Sequence, residues 1–335
     1  MAEQAALSSI APYYGGKRTL APRLLDILLE RLSGKSARDG LGVLQQYVTP
    51  FHGSLPDVLE LRGRGFAGTV IANDAYGYIH NLAVVLTSPR TAESLVKQLA
   101  LFPFGEATHA QACRELGLWE HNRRDDVERE GLGAPLFGAM TNEQQVLIAG
   151  YCLIAWWMGR NGEVAGTDAA WDDLVGSIGR RFTLGGGDPG LRWENVKASI
   201  PAWYASLALG KTTLISERCE KWLPSVQGFA GEIVYLDPPY LGAPGARYAE
   251  KVKDGTGSLF SADDFHAWLA EQAHRIAREG AVVGISYYRH ERLAELYPSA
   301  WWDVVDLDVQ KNSRNAGDGE AAKAPEVLLV NKRDT

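Results

Sequence analysis

The residues best suited to chemistry are Asp237, Pro238, Pro239 and Tyr240, which follow the apolar run 232–236. A carboxylate and the carbonyl of Pro238 form an acceptor pair for the two hydrogens of an exocyclic amine. Such a nitrogen is a poor nucleophile because its lone pair is delocalised into the ring. Two accepted hydrogen bonds favour a more tetrahedral nitrogen with that pair aimed at a methyl donor. The prolines fix the backbone so that the carbonyl is not lost to a sheet ladder, and Tyr240 offers an aromatic face on which a base extracted from a duplex can stack. The same four residues also read as a strand-ending turn, because Pro-Pro breaks regular structure and Asp commonly opens turns. Taken alone, the tetrapeptide leaves both readings open. Position weighs in, since open α/β sheets bind ligands beyond the carboxyl ends of their strands.

The elements needed to position these residues are legible in the pattern. Leu20, Leu24, Leu25, Ile27, Leu28 and Leu32 recur at helical spacing, and Ser33-Gly34 ends the run. A strand over Leu44–Thr49 runs into Pro50-Phe51-His52-Gly53-Ser54, and a helix follows from Asp57. A second strand, Gly68–Ala72, stops at Asn73-Asp74, and the apolar stretch from Ile79 to Leu86 predicts the next helix. This order opens a parallel sheet with crossover helices. After the strand 232–236 come an amphipathic helix from Asp263 to Glu279, capped by Ser261 or Asp263, and a buried-type strand over Ala281–Ser286. Two further strands, Trp302–Val309 and Glu326–Asn331, have no helix between them and predict an antiparallel pair at one sheet edge. The fold class expected is α/β, a mostly parallel twisted sheet.

Between these halves, from about residue 90 to 221, strand signals disappear. Six of the ten tryptophans fall there, so the segment reads as a largely helical insertion. Trp156 and Trp157 sit in an apolar run and read as packing. Arg160-Asn161, in a Gly-flanked loop, is a candidate contact to phosphate or a base edge. Arg123-Arg124 and Arg180-Arg181 are as consistent with solvation as with phosphate binding. The net charge of −7 argues against non-specific coating of nucleic acid but allows a local basic groove. The three cysteines lie far apart without metal-type spacing, so no metal is expected. No apolar run approaches the ~18–20 residues of a membrane span. With no signal-peptide pattern, the expectation is a cytoplasmic protein that does not engage membranes.

Taken together, five segments resemble the Dam-type, phage-like family of S-adenosylmethionine-dependent DNA adenine-N6 methyltransferases over nearly the whole length. They are Tyr13-Tyr14-Gly15-Gly16-Lys17, Pro50-Phe51-His52-Gly53-Ser54, Asn73-Asp74, Asp237–Tyr240 and Ser286-Tyr287-Tyr288. Asn312-Ser313-Arg314 followed by Glu326–Asn331 resembles the family's closing strand. The resemblance implies a Rossmann-like methyltransferase domain from residues 1–90 and 222–335, with 91–221 as a helical target-recognition insertion. It further implies that Tyr14, Gly16 and Lys17 line the methionine end of S-adenosyl-L-methionine, with Lys17 toward its carboxylate. Pro50, Phe51 and Gly53 would form the close-approach loop, Asp74 would hold the ribose hydroxyls, and Asp237, Pro238, Pro239 and Tyr240 would hold the adenine. Double-stranded DNA is the partner implied, for a monomer or weak dimer in a bacterium or phage-infected host, within restriction-modification biology. There is one departure: Leu55 stands where the family usually has a second glycine, in Gly-x-Gly. The same residue removes a Gly-rich dinucleotide fingerprint. RNA adenine, a cytosine amine, or a catalytically silent DNA-binding scaffold stand as alternatives.

Overall fold

The computed structural model describes residues 7–12, 17–122, 137, 139–159, 171–178, 188–241, 262–307, 309–310, 323–324 and 326–332. Nine strands are described: β1 (Gln46–Thr49), β2 (Thr69–Asn73), β3 (Lys211–Ile215), β4 (Glu232–Leu236), β5 (Val282–Tyr288), β6 (Trp302–Asp306), β7 (Val309–Gln310), β8 (Lys323–Ala324) and β9 (Glu326–Asn331). Seven form one sheet in the order β3-β2-β1-β4-β5-β9-β6. The first five are parallel, and β9 runs antiparallel between β5 and β6. This is the doubly wound order with one antiparallel strand inserted near an edge, which makes a Rossmann-like sheet. The antiparallel pair expected from Trp302 and Glu326 onward is present, although β6 ends at Asp306, short of Val309.

Burial on both faces explains why these strands read as near-continuous apolar runs. In β4, Ile233 and Tyr235 enter one core while Val234 and Leu236 enter the other. The first face is covered by α1 (Ala21–Ser33) and α3 (Pro56–Gly63), with α2 (Ala37–Val43) packed on α1. Gly34, at φ 68°, ends α1 as its left-handed cap. Close packing is visible where Leu28 of α1 meets Gly284 of β5: a Cβ there would lie 2.5 Å from Leu28 Cδ2.

The helices α4 (Gly77–Val85), α5 (Pro89–Ala100), α6 (Glu106–Asn122), α7 (Asn142–Met158) and α8 (Pro189–Ala208) extend this first core. Trp156 and Trp157 are both buried in α7, as their apolar run implied. The opposite face is covered by α9 (Ala262–Arg278), whose Leu269, Ala273 and Ile276 pack on Val283 and Ile285. Each such burial stabilises by about 1.5–3 kcal/mol relative to exposure. Of the two cap candidates for α9, Ser261 lies outside the described residues.

One correction concerns the segment from 90 to 221, which carries a strand that its pattern does not announce. β3 pairs with β2 in register from Thr69↔Lys211 to Asn73↔Ile215. Its polar Lys-Thr-Thr start and half-exposed edge position conceal it. Arg62 ties it down from α3, donating to the carbonyls of Phe66, Gly68 and Lys211 and to Thr212 Oγ1. Asp188 Oδ1 accepts from Gly190 N at 2.7 Å and caps α8, with Pro189 in its first turn.

Candidate active site

The parallel strands β2, β1 and β4 deliver their last residues to one edge of the sheet. Chain order reverses between β1 and β4, and crevices at such a switch point are where open α/β sheets take ligands. Asp237 leaves β4 at this point, and Pro238 behind it is buried. The antiparallel β9 runs the other way, so its first residue, Glu326, arrives at the same edge opposite Tyr288, the last residue of β5.

Lys17 lies four residues ahead of α1, and its carbonyl accepts the N–H groups of Leu20 and Ala21 at the helix start. Its Nζ stands 3.0 Å from Asp237 Oδ1 and 3.0 Å from Glu326 Oε1. The Tyr240 hydroxyl donates to Glu326, and to Asp237 Oδ1 at 3.3 Å. The ammonium also lies 4.9 Å from the centre of the Tyr240 ring, whose other neighbour is Tyr288, edge-on at 4.5 Å.

The electrostatics follow from burying two carboxylates with one ammonium. Burial pushes the Asp237 carboxyl up to about 6; Lys17 opposes this, while Glu326 and the buried Asp57 add to it. Burial alone would lower Lys17, but the two carboxylates outweigh it and hold the ammonium above its ordinary value. The Tyr240 hydroxyl is pushed well up by burial and by the same carboxylates, so it stays a donor. Below the cluster, Tyr47 donates to Asp57 at 2.7 Å, and Tyr235 and Ser286 share a hydrogen bond of 2.8 Å.

The second group of residues lies one and two strands away. Pro50, Phe51 and Gly53 follow β1. Asn73 closes β2 and locks the loop, donating to the Pro50 and Glu217 carbonyls and accepting from Glu217 N. Asp74 Oδ2 accepts from Gly53 N and Asp74 Oδ1 from Tyr76 N, both at 2.8 Å. Each carboxylate oxygen keeps a second lone pair for a further donor such as a hydroxyl.

Leu55 has φ 58°, the only non-glycine residue with positive φ among the described residues. Its backbone holds a glycine-type conformation, at a cost of about 1–2 kcal/mol, while its side chain is fully buried in the core. Among the described residues, Thr49 Oγ1, His52 Nε2 and Ser54 Oγ are buried without a hydrogen-bond partner around this loop.

The structure thus brings Lys17, Asp237 and Tyr240 into direct contact, and Gly53 and Asp74 into a second pair. Strand ends two spacings apart are about 10 Å from each other, which sets the distance between the two groups. Tyr14, Gly16, Arg160 and Asn161 lie outside the described residues, as does Asn312-Ser313-Arg314. Sequence reasoning missed Glu326 as a site residue, since Glu232 opens an apolar strand in the same way away from the site. Asp57 and Tyr47 were missed too, and no pattern marks them.

Among the described residues no group of three or more His, Cys, Asp or Glu side chains is placed to hold a metal ion, and no helix is long and apolar enough to cross a membrane. No family model matches the chain, and no curated protein is significantly similar to it.

Proposed function

We propose that this chain is an S-adenosylmethionine-dependent DNA adenine-N6 methyltransferase of the Dam type. The observation that carries the reading is the position of Asp237–Tyr240 at the sheet's switch point, with Lys17 on Asp237 and the Asp74–Gly53 pair two strands away. The antiparallel β9, a departure from the plain dinucleotide order, brings Glu326 to the same edge as Asp237.

The residues present suit the cofactor. Asp74 has lone pairs to spare for a ribose diol, and Thr49 Oγ1 and Ser54 Oγ are unpartnered polar atoms beside the Pro50–Ser54 loop. When bound, S-adenosylmethionine supplies an electrophilic methyl group on a sulfonium. The chain's part is to present the amine. Asp237 and the Pro238 carbonyl accept its two hydrogens, and Tyr240 stacks on the base, which helps offset the cost of flipping it out of the duplex. Asp237, at about 6, is placed to take up the proton that the methylated nitrogen releases.

In this reading the target-recognition part lies within residues 91–210, short of β3, double-stranded DNA is the partner, and the setting is a bacterium or phage-infected cell. The test is to incubate the purified chain with isotope-labelled S-adenosylmethionine and duplex DNA, single-stranded DNA or RNA, then identify labelled nucleosides by mass spectrometry. N6-methyladenine in DNA is expected. Label only in RNA or on cytosine would move the assignment to those substrates, and no transfer to any of them would leave a silent binder.

A further inference from the structure

The carboxylate that would receive the target amine is already engaged. Lys17 Nζ sits 3.0 Å from Asp237 Oδ1, so an arriving amine competes with an ammonium for the same oxygen. Lys17 is only 4% exposed, and displacing it from a sole partner would strand a buried charge. It has a second partner, however. Glu326, 7% exposed, lies 3.0 Å away and also accepts from Tyr240 OH.

Resting on the methyltransferase reading above, we propose that Glu326 is a positioning residue for the transfer, retaining Lys17 and the Tyr240 hydroxyl while Asp237 is released to the incoming amine. The chemistry of the transfer is unchanged by it. The nitrogen's lone pair would form the new N–C bond as the S–C pair returns to sulfur, and the nitrogen would then pass one proton to Asp237. What Glu326 sets is the availability of Asp237. Its charge also helps raise the Asp237 carboxyl, together with Asp57 at the start of α3 and against Lys17. The other titratable groups facing Asp237 are the hydroxyls of Tyr47, Tyr235 and Tyr240, all held well above their ordinary values by burial first.

The test uses the full chain with Glu326→Gln and Glu326→Asp. Single-turnover methyl transfer to duplex DNA is measured across about pH 4.5–8.5, beside an NMR titration of the Asp237 carboxyl and a thermal melt. For Glu326→Gln the rate is expected to fall about tenfold to hundredfold, and the acid limb and the Asp237 titration should both move to lower pH. Glu326→Asp keeps the charge with a shorter reach, so its rate should fall between the other two with the acid limb unmoved. A purely structural residue would lower the melting temperature and leave the acid limb and the Asp237 titration in place; that result, or an unchanged rate, overturns the proposal. If Glu326→Gln does not fold, a Glu326→Asp rate equal to wild type overturns it. A wild type that transfers no methyl group overturns the underlying reading, whereas an active wild type with an unaltered Glu326→Gln profile overturns only the role of Glu326.

Discussion

Asp237→Asn should stabilise the fold while it removes activity. In the folded chain the Asp237 carboxyl titrates at about 6, against an ordinary 3.8, because burial and the neighbouring Glu326 and Asp57 carboxylates outweigh Lys17. A folded value raised above the unfolded one means that the acid's contribution to stability is fully present below about pH 3.8. It is lost as pH rises through about 6. The gap of about 2 pH units, at about 1.4 kcal/mol each, gives about 3 kcal/mol; with the side chain 22% exposed, about 1–3 kcal/mol is a fair range. Asn has the shape of the protonated acid and avoids this cost. Urea denaturation of both proteins from about pH 4 to 8 should show little difference at the acid end and a growing advantage for Asn up to a plateau above about pH 6. Methyl transfer should fall by about a thousandfold, since a charged acceptor is lost where charge develops. An Asn variant less stable than wild type at pH 8, or a difference independent of pH, would refute the reasoning.

Other substitutions probe separate parts of the framework. At Leu55, whose φ is 58°, Gly should be at least as stable as Ala, reversing by about 1 kcal/mol the usual order for a residue in regular structure; Ala ahead of Gly in urea melts would contradict the strained conformation. Glu232 is fully buried and its carboxyl is pushed up to about 7 by burial, against an ordinary 4.5. Its stability contribution is therefore lost as pH rises through about 7, and Glu232→Gln should gain about 1–3 kcal/mol at pH 8 and almost nothing at pH 4, as calorimetry can check. Asp74→Ala leaves the Gly53 and Tyr76 N–H groups without their acceptor, and should weaken S-adenosylmethionine binding about tenfold to hundredfold by titration calorimetry.

How much of this was legible depends on what each residue's role depends on. β1, β2, β4 and β5 stand out in sequence because burial on both faces makes them apolar runs, the first three cut off by Pro, Asn or Asp. The tetrapeptide after β4 and the acid after β2 inherit their positions from those runs. β3 is hidden because Lys211, Thr212 and Thr213 satisfy an edge and not a core. α2 is also hidden, since Gly40 and Gly42 disguise seven residues, although Ser36 and Asp39 form a capping box that marks its start. Glu326 is hidden for a topological reason. Attention goes to the carboxyl ends of parallel strands, and only an antiparallel strand brings its beginning there. The Lys17 ion pair required the same knowledge, because no local pattern says which carboxylate a lysine ahead of a helix will meet.

The antiparallel β9 also sets when the site can exist. Lys17 precedes every strand of the sheet and Glu326 opens β9, with the sheet's other six strands made in between. A nascent chain that has extruded β5 already carries the Pro50–Ser54 loop and the tetrapeptide, yet its Lys17 ammonium lacks the Glu326 carboxylate. β6 has no partner in the sheet until β9 arrives to bridge it to β5. Synthesis therefore orders the parts: the Asp74–Gly53 pair first, the Lys17–Asp237 cluster complete only when β9 slides in. β9 acts as a latch that completes the Lys17–Asp237 cluster and the sheet edge in one event.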